Sequence, residues 1–92
     1  MAQLLCEVSE GLRPAEATVK VHRLDGRAEF LPVDRGMVTK AGRKNYLAVG
    51  LIYLDEAQEA ALIELPEEAD SGANRLWVRR DHVRLLHESL NS

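Results

Sequence analysis

Ninety-two residues, of which 46% are apolar and 29% charged, with a net charge of −3 and a single cysteine, describe one small domain spanning residues 1–92. A chain of this size buries roughly 60–70% of its unfolded surface, enough for one modest core without staples. One cysteine excludes an intramolecular disulfide framework, and the composition excludes disorder and a collagen-like or low-complexity chain.

Leu4–Val8 is a short strand candidate, closed by Ser9-Glu10-Gly11, and Leu12–Glu16 reads as a loop. Thr18–Leu24 alternates apolar and polar residues and ends at Asp25-Gly26, after which Arg27–Leu31 follows directly. A two-residue Asp-Gly link predicts a type I′ hairpin, with positive φ at both turn residues. In that register Val21 opposes Phe30 and His22 opposes Glu29. Val19, Val21, Ala28 and Phe30 then share an apolar face, and Lys20, His22 and Glu29 share a polar one.

Pro32 ends that strand or places it at a sheet edge. Gly36–Thr39 is a short strand candidate, and Lys40–Asn45 is a basic loop. The longest apolar run, Tyr46–Leu54, reads as the central strand, buried on both faces. Gly50 within it suggests a bulge or a close backbone approach. Residues 55–65 admit two readings. They are rich in helix formers with an acidic first turn. They also read as a turn over Asp55–Glu59 and a strand over Ala60–Leu65. The strand is preferred, because the preceding strand needs a partner and Pro66 stops the segment early. Pro66–Asn74 is a long polar loop, Arg75–Arg79 a strand, and Asp81 a candidate cap for a short helical turn. Val83–Leu86 is either a last strand or the start of a helix reaching Leu90.

These elements predict an all-β fold: a small barrel of five or six short antiparallel strands with a short C-terminal helical turn. The stretch Leu76-Trp77-Val78-Arg79-Arg80-Asp81-His82-Val83-Arg84-Leu85-Leu86 resembles the end of an SH3-like barrel: strand, tight helical turn, closing strand. The resemblance implies fold only. The aromatic cluster by which signalling SH3 domains hold proline-rich peptides has no counterpart among Phe30, Tyr46, Tyr53 and Trp77.

Catalytic and metal signatures are missing. Cys6, His22, His82 and His87 lack CxxC, HxxxH or HExxH spacing, so no metal or other cofactor is expected. Ser71 has no nucleophile elbow around it, and Cys6 beside Glu7 reads as a small buried hydrophobe. No run approaches the roughly 20 apolar residues of a membrane helix, and Met1–Glu7 lacks a signal-peptide pattern, so a cytoplasmic protein is expected.

Charge is unevenly distributed. Residues 55–70 carry seven carboxylates and no base, whereas residues 34–54 and 71–92 are net positive. Arg75, Arg79, Arg80 and Arg84 gather around Trp77, with Lys40, Arg43 and Lys44 as further candidates. Tryptophan and arginine dominate interface energetics, so these residues are the predicted binding site. The functional expectation is a non-enzymatic protein-interaction or accessory module that contacts a protein partner or a second copy of itself. The alternative is an RNA- or DNA-binding barrel using the Trp77, Arg79, Arg80 and Arg84 surface.

Overall fold

The computed structural model of the chain describes residues 2–86. Eight strands account for most of it: β1 (Ala2–Glu10), β2 (Glu16–His22), β3 (Ala28–Asp34), β4 (Val38–Ala41), β5 (Lys44–Asp55), β6 (Ala60–Glu64), β7 (Arg75–Arg79) and β8 (Val83–Leu85). Two 3-10 turns, Arg35–Met37 and Arg80–His82, join β3 to β4 and β7 to β8. No α-helix is present among the described residues. Every pairing is antiparallel, in the spatial order β3-β2-β1-β5-β6-β7, with β4 added to β5 and β8 added to β1. The result is one curled sheet forming a small all-β barrel. Its concave side holds Leu4, Val19, Val21, Leu31, Leu47, Ile63 and Val78, all essentially without solvent contact.

Alternation explains which residues point inward. Ala17, Val19 and Val21 are the buried members of β2, and Leu76 and Val78 those of β7. The preferred reading of residues 55–65, a turn and a strand, is the one that forms, and the competing helix does not. Asp55 pairs with Ala60, and the Asp55 side chain accepts from the Gln58 backbone N–H, closing a hairpin. The turn Arg80–His82 forms as expected, but Asp81 does not cap it. Arg79 occupies the cap position, and Asp81 instead accepts two hydrogen bonds from the Arg79 guanidinium. The possible helix toward Leu90 lies outside the described residues.

The β2–β3 hairpin differs from the expected register by one residue. His22 pairs with Ala28, Val21 with Glu29 and Lys20 with Phe30. The Gly26 N–H donates to the Arg23 carbonyl and the Arg23 N–H to the Arg27 carbonyl. Only Gly26 has positive φ, +89°. This is a three-residue loop, a turn followed by a left-handed glycine, rather than a two-residue type I′ turn. The shift turns Leu31 and Val33 into the core opposite Val19 and Ala17. It leaves Phe30 44% exposed and buries Glu29.

The central run also departs from expectation. Leu47 and Val49 are buried, but Leu51, Ile52 and Tyr53 are exposed. The bulge lies after Gly50: Leu51 pairs with Ile63 and Tyr53 with Leu62, leaving Ile52 unpaired. Gly50 itself has no steric requirement, since a Cβ there would sit 3.7 Å from the Glu64 Cβ.

The two halves of the chain repeat one another. The order β1-β2-β3-turn-β4 recurs as β5-β6-β7-turn-β8, and the pairing registers correspond apart from the one-residue bulge at Ile52. Val8, Val19 and Leu31 lie in one cross-strand row, and Leu51, Ile63 and Leu76 lie in the equivalent row. Each half lends its last strand to the other: Val38 of β4 pairs with Leu47, and Val83 of β8 pairs with Leu4. Leu4 and Leu47 pair with each other, so a pseudo-two-fold axis passes between them. The 3-10 turns are anchored alike, by the Arg35 N–H on the Ala15 carbonyl and the Arg80 N–H on the Glu59 carbonyl. A faint sequence echo accompanies this, Leu31-x-Val33-x-Arg35-x-x-Val38 against Leu76-x-Val78-x-Arg80-x-x-Val83.

Candidate interaction surface

Burying Leu76 and Val78 obliges β7 to present Arg75, Trp77 and Arg79 on its outer face. Trp77 lies in register with Leu62 of β6, and Leu62 with Tyr53 of β5. The rings of Tyr53 and Trp77 meet edge to face, with centroids 6.2 Å apart and planes at 80°. Tyr53 is 58% exposed and Trp77 41%. Leu24, at the tip of the β2–β3 hairpin, is also exposed, and its N–H donates to the Trp77 carbonyl at 2.7 Å.

The repeated architecture supplies an internal comparison. At the positions equivalent to Tyr53, Leu62 and Trp77, the first half carries Ser9, Thr18 and Pro32 in one cross-strand row. Apart from the bulge at Ile52, the same strand pairing therefore forms without an aromatic row. The ring pair in the second half is not a requirement of the fold.

The five residues singled out from the sequence do not form one cluster. Arg75, Trp77 and Arg79 share the outer face of β7, whereas Arg80 and Arg84 are engaged elsewhere. Arg80 donates to the Val83 carbonyl at 3.1 Å and so fastens its 3-10 turn. Arg84 donates to Gln3 Oε1 at 2.7 Å, with its guanidinium 4.1 Å from the Tyr46 ring centroid. Arg79 forms a two-pronged pair with Asp81, and Arg75 lies 3.9 Å from Glu64. The Arg79 hydrogen bonds hold the Asp81 carboxyl below its usual value and raise the guanidinium's own. Much of the local positive charge is thus matched by carboxylates. Arg43 and Lys44 sit at the β4–β5 turn and line a separate cleft with His82.

Cys6 and Ser71 serve packing and anchoring. Cys6 is buried, and burial, then Glu7, pushes its thiol up to about 11, which disfavours the thiolate near neutral pH. Ser71 donates to Glu29 Oε1 at 2.7 Å, tying the Pro66–Asn74 loop to β3. Among the described residues no group of three or more His, Cys, Asp or Glu is placed to hold a metal ion. No helix among them is long and apolar enough to cross a membrane.

Sequence reasoning missed the partners of Trp77. Tyr53 and Leu62 lie in the apolar run and its mate, which by sequence read as buried, and the alternation that would expose Tyr53 is broken by the unpaired Ile52. No family model, curated protein or solved structure matches this chain.

Proposed function

We propose that the protein is a non-enzymatic protein-interaction module built on a small β-barrel. Its contact surface on this reading is the Tyr53–Leu62–Trp77 row, flanked by Arg75 and Arg79. The observation that carries it is the contrast between this exposed ring pair and the Ser9–Thr18–Pro32 row at equivalent positions. Exposed aromatic side chains held rigid by a sheet contribute large contact area at low entropic cost, the usual makeup of a binding hot spot. An SH3-like classification is supported by the strand, 3-10 turn and strand over residues 75–85, a device that occurs a second time over residues 28–41.

Self-association is the simplest form of the reading, because the acidic hairpin tip at residues 55–59 borders the same face. The test is sedimentation velocity over a wide concentration range on wild type, Trp77→Ala and Arg75→Glu/Arg79→Glu. Concentration-dependent dimers lost in Trp77→Ala support it. A wild type that stays monomeric throughout refutes self-pairing and leaves a different protein as the partner. That version requires captured polypeptides to be lost with Trp77→Ala and Tyr53→Ala but retained with Thr18→Ala. The nucleic-acid alternative predicts RNA or heparin binding at low salt that falls steeply as salt rises. The carboxylates beside Arg75 and Arg79 favour the protein reading.

A further inference from the structure

A second site lies where β1 changes partners. On one side β1 pairs with β8 through Ala2–Leu4 and with β2 through Glu7–Glu10, so Leu5 and Cys6 are paired with neither. The gap opens an outer cleft of 410 Å³. Lys20 and His22 of β2 line one side, and His82 of the 3-10 turn lines the other. Arg43 and Lys44 approach from the β4–β5 turn, with Asn45 beside them. Among the described lining residues Glu7 is the single carboxylate, against three permanent cations. This concentration of positive charge occurs in a protein whose net charge is −3.

The pseudo-two-fold supplies a control again. On β5 the same gap falls at Ala48 and Val49, between the partners β4 and β6, and it also forms a cleft, of 270 Å³. There the equivalents of Lys20, His22 and His82 are Glu64, Pro66 and Met37. The equivalents of Cys6 and Glu7 are Val49 and Gly50. Among the described residues the fold therefore produces this cleft without any cation in it. Of the two copies, the one on β1 carries the basic and imidazole groups among those residues, drawn from three separate elements.

We infer that the β1 cleft binds a phosphate-bearing small molecule. Lysine and arginine provide fixed positive charge, guanidinium and amide groups provide directed donors, and imidazoles gain a second donor when protonated beside an anion. Burial, more than any neighbour, lowers the His82 pKa, with Arg79 and His22 acting in the same direction and Asp81 opposing. A bound oxyanion would reverse that balance. The same cations argue against a divalent metal, which would be repelled, and the Cys6 thiol does not offer a thiolate. A cleft of this volume accommodates one or two phosphoryl groups with a small organic body rather than a polymer. It shares no lining residue with the Tyr53–Leu62–Trp77 row, so this inference stands apart from the interaction surface.

The experiment is titration of the full chain with inorganic pyrophosphate at constant ionic strength, followed by amide and imidazole resonances. Saturable, millimolar-or-tighter shifts confined to Leu5–Val8, Lys20, His22, Arg43–Asn45 and His82 are expected, with chloride giving none. Lys20→Gln and Arg43→Gln should each weaken binding by about tenfold, while Glu64→Gln in the equivalent cleft leaves it unchanged. Non-saturating shifts spread over all surface lysines and arginines overturn the inference, as does equal loss in Glu64→Gln. So does saturable binding to RNA with none to pyrophosphate. Should a variant fail to fold, the wild-type shift map decides alone.

Discussion

Glu29 is the residue whose placement most tests this account of the fold. It occupies an inward position of β3 and is 5% exposed. Ser71 Oγ donates to its Oε1 at 2.7 Å, and Arg23 Nη1 donates to its Oε2 at 3.1 Å. Replacing Ser71 by alanine leaves one oxygen of a buried carboxylate without its donor. Hydrogen bonds to charged groups contribute about 1.5–3 kcal/mol, so a loss of about 2 kcal/mol is expected. For a domain of this size that corresponds to a fall in Tm of about 8–16 °C. The loop itself should stay in place, because the Asp70 N–H still donates to the Phe30 carbonyl at 2.7 Å. Arg23→Gln should cost only about 0–1 kcal/mol, since the Arg23 side chain is 39% exposed and its ion pair is half in water. Glu29→Leu removes the buried charge together with its demand for donors and frees a serine that already faces solvent. It should therefore cost less than about 1 kcal/mol. Urea unfolding, followed through the single tryptophan, completes a double-mutant cycle. In the Glu29→Leu background Ser71→Ala should become nearly neutral. An equal cost in both backgrounds would refute the reasoning, showing that Ser71 acts on the loop and not on the carboxylate.

Three further outcomes follow from the geometry. Leu4→Ala and Leu47→Ala, equivalent positions with no solvent contact, should each destabilise by about 3–5 kcal/mol and by similar amounts, measured by urea unfolding; a large inequality would contradict the pseudo-two-fold packing. Gly26→Val should cost about 1 kcal/mol or more because φ is +89° there, whereas Gly50→Ala should be near neutral, as thermal melts of the two can compare. His82 has a folded pKa lowered from 6.5, so its neutral form is the one favoured by folding. The stability it contributes is complete above that value and is lost as pH falls through the folded pKa. His82→Gln should accordingly flatten the decline of Tm between neutral pH and about pH 5, and an unchanged decline would show that other groups carry it.

The sequence by itself determined the fold class and most strand positions. The alternation in residues 17–21 points Val19 and Val21 inward, whereas residues 75–79 alternate only weakly, and it is the packing of β7 beside β6 that turns Leu76 and Val78 inward and Arg75, Trp77 and Arg79 outward. Local information also identified Cys6 as buried and placed a turn at Asp25-Gly26. It did not determine the β2–β3 register. Asp-Gly suits both a two-residue and a three-residue loop, and Ala28 with Phe30 looks as good a core pair as Leu31 with Val33. The choice between them was made at a distance. Leu31 and Val33 join the core contributed by β1, β5, β6 and β7, and the buried Glu29 is satisfied by Ser71, 42 residues away. The candidate sites divide in the same way. Trp77 announces itself by residue type, but Tyr53 becomes its neighbour only because Ile52 bulges out of register, shifting every later residue of β5 against β6. Lys20, His22, Arg43, Lys44 and His82 carry no shared spacing at all. They converge because β1 exchanges one partner strand for another between Leu4 and Glu7, and pairing between distant segments is energetic information that no local pattern contains.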